Sequence, residues 1–485
     1  MSTHATFDSH NPATGEVFAT YRNTSADEVN EAVERARLAG ALWGSSSFAA
    51  RKSLLLQWAK LLTKNIDEMA ALICSETGKP TSDAILEITL AIEHVAWAAK
   101  HAERVLGNQR RPSGLLMINM KSRVERSPYG VVGVIGPWNY PIFTPMGSIV
   151  YALAAGNAVV FKPSEYTPGI GQWLADSFAE ITHIPNLFIC IPGLADTGRA
   201  LTQSAVGKIA FTGSTATAKK VAAAAAERMT PTVLECGGKD AVLVAEDANI
   251  SRAAEFALWS AMSNAGQTCI GAERVYVVES VADRFIAEIS EMARGIRAAS
   301  DGNYGPATMP SQIGVIRSHV LDAQSHGATF VVGGPESVGD RFVQPIIMTN
   351  VDEKSSAMTE ETFGPTLAIN RVADINEAIA RANASRYGLG ASVWSRRKGN
   401  QIASQLQCGM VSVNSVIAFA AVASVPFGGV KDSGNGRIHG PEGLMEFTYP
   451  RTVVSEGFRI PIAFTTFKRT SFVDKFIRKA IEILH

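Results

Sequence analysis

From Val131 onward the sequence repeats one rhythm, a short β-rich run, a loop, then a helix, and this limits the folds open to it. Val131–Ile135, Ala158–Phe161, Leu187–Ile191, Lys208–Phe211 and Val233–Cys236 read as strands, with helices such as Gly171–Ile181 and Ala216–Met229 between them. Strands joined through helices pair in parallel, because a parallel connection needs a long crossover. The expectation is an α/β chain whose first sheet is doubly wound, of the nucleotide-binding type. The rhythm recurs in strands Arg274–Val278 and Val411–Asn414 and helices Ala282–Ile296 and Ile375–Asn383, so a second α/β domain should start near residue 237. At 485 residues the chain is too long for one ordinary core.

Before that rhythm starts, Asn11–Glu16 reads as a turn between two short strands, and the chain is helical from Ser25 to about Leu106. Ser25 and Glu28 have capping-box spacing ahead of a helix through Leu38, followed by helices near Ala49–Leu62 and Glu68–Glu76. Residues 113–129 alternate like two strands projecting as an arm. At the far end Phe472, Val473, Phe476, Ile477, Ala480, Ile481 and Leu484 share one helical face opposite a basic side. Packing against the same or a neighbouring subunit is the favoured use of that face, ahead of a membrane surface or a lid.

Charge excludes one class of partner: Lys plus Arg equals Asp plus Glu at 45 each, so no global basic field draws nucleic acid. The five cysteines are scattered without a C-x-x-C pair, against a disulfide framework or a zinc site. The first residues lack a secretory pattern and no 18-residue apolar run occurs, so a cytoplasmic location is expected.

Candidate chemistry centres on Cys269, in a loop after the Ala-rich stretch Ala253–Met262 and just beyond Gly266, where a sharp turn can expose a thiol nucleophile. No G-x-G-x-x-G follows a strand, so the standard dinucleotide fingerprint is missing. In its place Phe211-Thr212-Gly213-Ser214-Thr215 ends a strand and opens a helix, where free N–H groups suit a phosphate or an ordinary N-cap. Lys162 and Glu165 end another strand, where ribose hydroxyls sit in such folds. A carboxylate there repels a 2′-phosphate, which favours NAD while leaving NADP open.

Four stretches then stand in order: Gly136-Pro137-Trp138-Asn139-Tyr140-Pro141, Leu234-Glu235-Cys236-Gly237-Gly238-Lys239, Gly266-Gln267-Thr268-Cys269 and Glu361-Thr362-Phe363-Gly364-Pro365. Their order and spacing resemble the NAD(P)-dependent aldehyde dehydrogenase superfamily, over nearly the whole chain. The resemblance implies that Cys269 is the nucleophile, Glu235 the general base and Asn139 an oxyanion donor. Lys162 and Glu165 would hold the adenosine ribose, Gly213 and Ser214 the pyrophosphate, and Glu361 the nicotinamide ribose, with Trp138 and Phe363 lining the cleft. Tyr140, Phe143, Gly147, Ile270 and Phe427 become pocket candidates, apolar enough to suggest a medium-chain or aromatic aldehyde.

It implies a Rossmann-like cofactor domain (1–112 and 130–236), an α/β catalytic domain (237–439), a β oligomerisation arm (113–129 and 440–456) and an amphipathic tail (457–485). A homodimer or homotetramer is expected, and no metal. Against the family pattern, Cys236 replaces a Leu, Ala216 and Ala218 follow Ser214-Thr215, and Gly193-Leu194-Ala195 replaces Gly-x-Gly. Cys236 reads as core packing, with a reversible disulfide to Cys269 a minor alternative. A thiol-resolved, CoA-acylating variant and a non-enzymatic scaffold are the competing functions.

Overall fold

The computed structural model describes residues 5–460 and 466–484. The chain divides into two compact units, Met1–Val105 with Pro128–Thr448, and Leu106–Ser127 with Tyr449–His485.

In the larger unit a six-stranded sheet runs in the order Gly434–Asn435, Thr232–Glu235, Lys208–Thr212, Val131–Ile135, Ala158–Lys162, Phe188–Cys190. The last five pair in parallel, as expected from the alternation. Val131–Ile135 comes first in the chain yet lies inside the sheet; its successors build outward on one side, and Lys208–Thr212 then begins the other. The loops leaving Ile135 and Thr212 therefore diverge, and such a reversal opens a crevice at the carboxyl ends of the strands. Gly136–Asn139 and Gly213–Ser214 stand there because of strand order alone.

The second sheet has seven strands, Thr329–Val332, Ile346–Thr349, Thr366–Val372, Ala272–Val278, Asp240–Val244, Gly390–Trp394 and Met410–Val413, all parallel except the first. Its central strands are buried on both faces. Val275 and Val277 enter one apolar core and Tyr276 and Val278 the other, since successive strand side chains point oppositely. Each such aliphatic side chain contributes about 1.5–3 kcal/mol when fully buried. The helix Ile250–Met262 packs Ala253, Ala254, Ala257, Leu258 and Ala261 into the first core and leaves Trp259 exposed at 45 %.

At the N-terminus, Thr6–His10 and Val17–Arg22 form the antiparallel pair that the turn suggested. Ser25 and Glu28 form the capping box, though the helix they start runs over Ala26–Gly44, past Leu38. Two sequence readings need correction. Residues 113–129 hold one strand, Met120–Pro128, preceded by a short helical turn at Leu115–Met117. That strand's hairpin partner is Gln109–Arg111, and Thr448–Glu456 completes a three-stranded sheet. The polar Gln109–Arg111 run carries no apolar alternation to mark it as a strand. Gly440–Glu446 is a helix of the larger unit, begun by Pro441 in its first turn, not part of the arm.

The tail forms the expected helix, Ser471–Leu484, on which Phe472, Phe476 and Ile481 are exposed. The Leu484 side chain, residues 461–465 of that tail and the first four residues of the chain lie outside what the structure describes. Among the described residues no helix is long and apolar enough to cross a membrane.

Candidate active site

Cys269 is positioned by an unusual turn. After the helix Ile250–Met262 the backbone passes through three left-handed residues, Asn264 (φ 52°), Ala265 (φ 56°) and Gly266 (φ 70°). Only glycine fits at 266, because a Cβ there would strike the Gly364 carbonyl. Gln267 holds the turn from inside: its side chain donates to Asn264 O (2.9 Å) and accepts from Thr308 N (2.8 Å). Thr268 Oγ1 lies 2.7 Å from the Tyr140 hydroxyl. The strained loop ends with Cys269 half-buried at the wall of a narrow slot of about 100 Å³. Burial, followed by the Glu361 charge, pushes its thiol pKa up.

Glu235 ends the strand Thr232–Glu235 and lines the same slot at 3 % exposure. Among the described residues neither carboxylate oxygen has a hydrogen-bond partner. Burial raises its pKa well above the usual carboxylate range, and Arg437 only partly offsets this. A Cβ at Gly428 would come within 2.8 Å of Oε1, so glycine there keeps space beside the carboxylate. Cys236 is buried and also lines the slot; it is a free thiol, as are the other four cysteines.

Asn139 is buried and tightly held. Its Nδ2 donates to Gln267 O (2.9 Å), while its carbonyl accepts from Lys79 Nζ (2.8 Å) and Asn264 Nδ2 (3.0 Å). Lys79 in turn pairs with Glu87 (2.6 Å), both side chains being fully buried, and Glu87 Oε1 accepts from Ile142 N (2.8 Å) and Phe143 N (3.2 Å). Two residues more than 50 positions upstream thus clamp the Asn139 loop. Nothing in the local sequence around Lys79 or Glu87 marks them for this role.

Of the proposed pocket residues, Tyr140, Phe143, Ile270 and Phe427 line the slot. Gly147 does not; it lies under the imidazole of His439, whose Nε2 occupies the space a Cβ would take. His439 is 1 % exposed, lines the slot and has both ring nitrogens without a hydrogen-bond partner among the described residues. Its ring centroid is 3.9 Å from that of His94, and burial drives its pKa well below the ordinary histidine value. The absence of ligand spacing around His439 in the sequence concealed this position.

On the crevice side, Lys162 is buried with Nζ donating to Pro163 O (2.8 Å) and lying 3.8 Å from Glu165, whose side chain is 41 % exposed. Ser214 is exposed and N-caps the helix Thr215–Ala226, next to Gly213. The Trp138 and Phe363 rings meet edge-on at 5.5 Å, Phe363 with φ 51°. Glu361 accepts from Gly238 N (3.1 Å), and burial and the Glu273 charge push its pKa up to about 8. Glu273 holds this loop by accepting from Thr362 N (2.8 Å) and Phe363 N (3.1 Å), and it pairs with buried Lys239.

A thiol and an unpartnered carboxylate thus face one slot, beside a crevice at the switch point of a doubly wound sheet. The description of the aldehyde dehydrogenase family matches residues 1–453. The chain belongs to that family. Aldehyde dehydrogenases are oxidoreductases that use NAD(P), and oxidation of aldehydes is the activity the relatives support. Among the relatives, a protein of Methylomonas sp named 4,4'-diapolycopene aldehyde oxidase is 36 % identical over 439 residues, covering 89 % of this chain and 82 % of the relative. A protein of Mycolicibacterium smegmatis named a putative NADP(+) succinate-semialdehyde dehydrogenase is 37 % identical over 453 residues, covering 91 % and 87 %. The NAD+ complex of the aldehyde dehydrogenase from Bacillus cereus superposes with a TM-score of 0.89 at 30 % identity, covering 93 % of each chain.

Proposed function

We propose that this aldehyde dehydrogenase oxidises apolar aldehydes to carboxylic acids with NAD, through a thiohemiacetal and then a thioester on Cys269. The observation that carries the reading is the shared slot, lined by both Cys269 and a buried Glu235 whose carboxylate oxygens have no hydrogen-bond partner among the described residues. Cys269 Sγ bonds to the aldehyde carbon and the thiol proton passes to a base, for which the raised pKa of Glu235 suits it. The second N–H of Asn139 Nδ2, its first being held by Gln267 O, and the Cys269 backbone N–H steady the alkoxide. One such donor typically stabilises the developing charge by about 3 kcal/mol. When bound, the dinucleotide supplies the hydride acceptor. Once that proton has passed to solvent, Glu235 takes a proton from the water that attacks the thioester and hands it to the departing thiolate, so the acid leaves as the thiol is restored.

The crevice residues fit a dinucleotide: Glu165 presents a half-exposed carboxylate for ribose hydroxyls, Ser214 caps a helix N-terminus suited to a pyrophosphate, and Trp138 and Phe363 form an aromatic wall. Glu361 is the candidate for the second ribose. Glu165 also disfavours a 2′-phosphate, the basis for NAD despite the NADP(+) in the name of the mycolicibacterial relative. The same relative is named for succinic semialdehyde, but among the described residues neither Arg nor Lys lines this slot, while Asp83 and Glu87 do. A second carboxylate on the substrate would meet no cation there. The exposed strand Gln109–Arg111 leaves an edge through which copies of the chain can pair into a homodimer or homotetramer, and the cytoplasm is the proposed location.

Absorbance of reduced cofactor with an aldehyde panel tests this. Hexanal and benzaldehyde should exceed succinic semialdehyde in kcat/KM by at least about tenfold, the scale of one uncompensated charge. Cys269→Ala should lower turnover about 10⁴-fold or more, as loss of a catalytic nucleophile does. Preferred turnover of succinic semialdehyde, or a Cys269→Ala enzyme near wild type, would refute the proposal.

A further inference from the structure

We infer that His439 is a specificity-determining residue, which hydrogen-bonds a neutral hydroxyl group on the substrate and so directs the slot at Cys269 toward hydroxyl-bearing aromatic aldehydes. This rests on the aldehyde reading of the slot and narrows the class of substrate within it. Two adjoining buried imidazoles carry the inference, because the fold treats them in opposite ways.

His94 and His439 are each 1 % exposed, and their ring centroids lie 3.9 Å apart. His94 is satisfied by the fold. Its Nε2 lies 3.2 Å from Ala420 O, which can only accept, so that nitrogen carries the proton, and its Nδ1 lies 3.2 Å from the Tyr151 hydroxyl. His439 has no hydrogen-bond partner for either nitrogen among the described residues. Burial, with His94 beside it, keeps this ring neutral, so one nitrogen is a donor and the other an acceptor. A buried donor and acceptor left unpaired are both unfavourable, and an apolar side chain of the same shape would avoid that cost.

The fold nevertheless makes room for the imidazole. Gly147 stands inside the helix Phe143–Ala154, where glycine is less stable than alanine, and a Cβ there would come within 2.5 Å of His439 Nε2. His439 itself has φ 61° and ψ 166°, a backbone region nearly confined to glycine. Phe143 and Phe427, with ring centroids 5.6 and 5.4 Å from the imidazole, line the slot together with it.

The walls select the occupant. The rings of Tyr140, Phe143 and Phe427 around a slot of about 100 Å³ suit a flat aromatic body. The polar group on that body is neutral, because the imidazole is uncharged and Asp83 and Glu87 also line the slot. A hydroxyl both donates and accepts, so it pairs with whichever ring nitrogen it meets.

The test compares kcat/KM for the three hydroxybenzaldehydes with that for the methylbenzaldehyde substituted at the same position, using the full chain and NAD at about pH 6.5, where a phenol stays protonated. At least one hydroxyl isomer should exceed its methyl counterpart about tenfold or more, since a site built to bond a hydroxyl discriminates strongly against an analogue without one. In His439→Phe, which keeps a ring and removes both nitrogens, that ratio should fall about tenfold or more, while Tm holds or rises. Gly147→Ala, which keeps the imidazole but pushes it from its seat, should lower the same ratio. A wild type that prefers no hydroxyl isomer overturns the inference, as does a His439→Phe enzyme that loses Tm and falls equally on both substrates. The wild-type comparison and Gly147→Ala decide the matter if His439→Phe fails to fold. Failure of the wild type to oxidise any of these aldehydes defeats the aldehyde reading instead.

Discussion

Two buried carboxylates near the active site are held in opposite ways. Glu87 is saturated: Lys79 and two backbone N–H groups surround it, and the cluster fixes the Asn139 loop. Glu235 is almost as buried, and neither of its oxygens has a hydrogen-bond partner among the described residues. The desolvation cost is of the same kind for both, so the difference lies in what offsets it. A structural carboxylate gains its hydrogen bonds within the fold, and Glu273 repeats the Glu87 arrangement with Lys239. Glu235 is left with unspent hydrogen-bonding capacity in a slot beside a thiol, which is the state a proton acceptor for substrate and water requires.

Glu235→Gln breaks the comparison from the reactive side and should have the largest effect. Its volume is kept and its basicity is lost, so steady-state turnover should fall about 10²–10⁴-fold, the range for a general base. Wild-type turnover should also rise with pH as Glu235 deprotonates, and the variant should lose that limb. A turnover within threefold of wild type, with the limb intact, would remove Glu235 from the mechanism.

Glu87→Gln breaks it from the structural side. The substitution leaves Lys79 buried without a counter-charge, which should cost about 3–5 kcal/mol of stability. Denaturant unfolding measures this, and a loss below about 1 kcal/mol, the worth of a surface pair, would mean that Lys79 finds other partners.

That contrast also separates what the sequence shows from what it hides. The sheet strands are legible because short β-rich runs separated by helical stretches leave local marks, and Ser25 with Glu28 signs its own helix start. Cys269 and Glu235 could be read because each sits in a motif with distinctive neighbours. Lys79 and Glu87 could not: their meaning comes from a contact with Asn139, 60 residues from Lys79. Trp259 reads as one more apolar residue of an Ala-rich helix, and only the fold shows that it faces away from the core. His439 likewise gains its buried setting from Phe427 and from His94 and Phe143, the last two far away in sequence.

The sign of the pH dependence of stability provides a subtler test. Burial raises the Glu235 pKa in the folded state, so the native chain holds that proton more tightly than the unfolded chain does. Stability from this group is present below the unfolded carboxylate pKa and is lost as pH rises through the raised value. Glu235→Gln should therefore increase Tm at pH 8, and the gain should shrink toward pH 5. Thermal unfolding at both values checks it, and a Tm loss that grows with pH would show that Glu235 has a cation partner when charged.

Glu165 lies between the two extremes and gives the smallest expected effect. It is half-exposed, and its carboxylate is 3.8 Å from Lys162, too far and too wet for the pair to add much stability. Its proposed value lies outside the protein, in accepting hydrogen bonds from ribose and opposing a 2′-phosphate. Glu165→Gln keeps the shape and removes the charge, so the fold should be unaffected while selectivity moves. The NADP-to-NAD ratio of kcat/KM should rise about tenfold, equivalent to about 1.4 kcal/mol for one partly screened repulsion. Because Lys162 is then released from its only nearby carboxylate within ion-pair range among the described residues, the gain should come mainly through a lower KM for NADP. An unchanged ratio would place cofactor selectivity elsewhere in the crevice, and a wild-type enzyme that already prefers NADP would show that Lys162 outweighs Glu165.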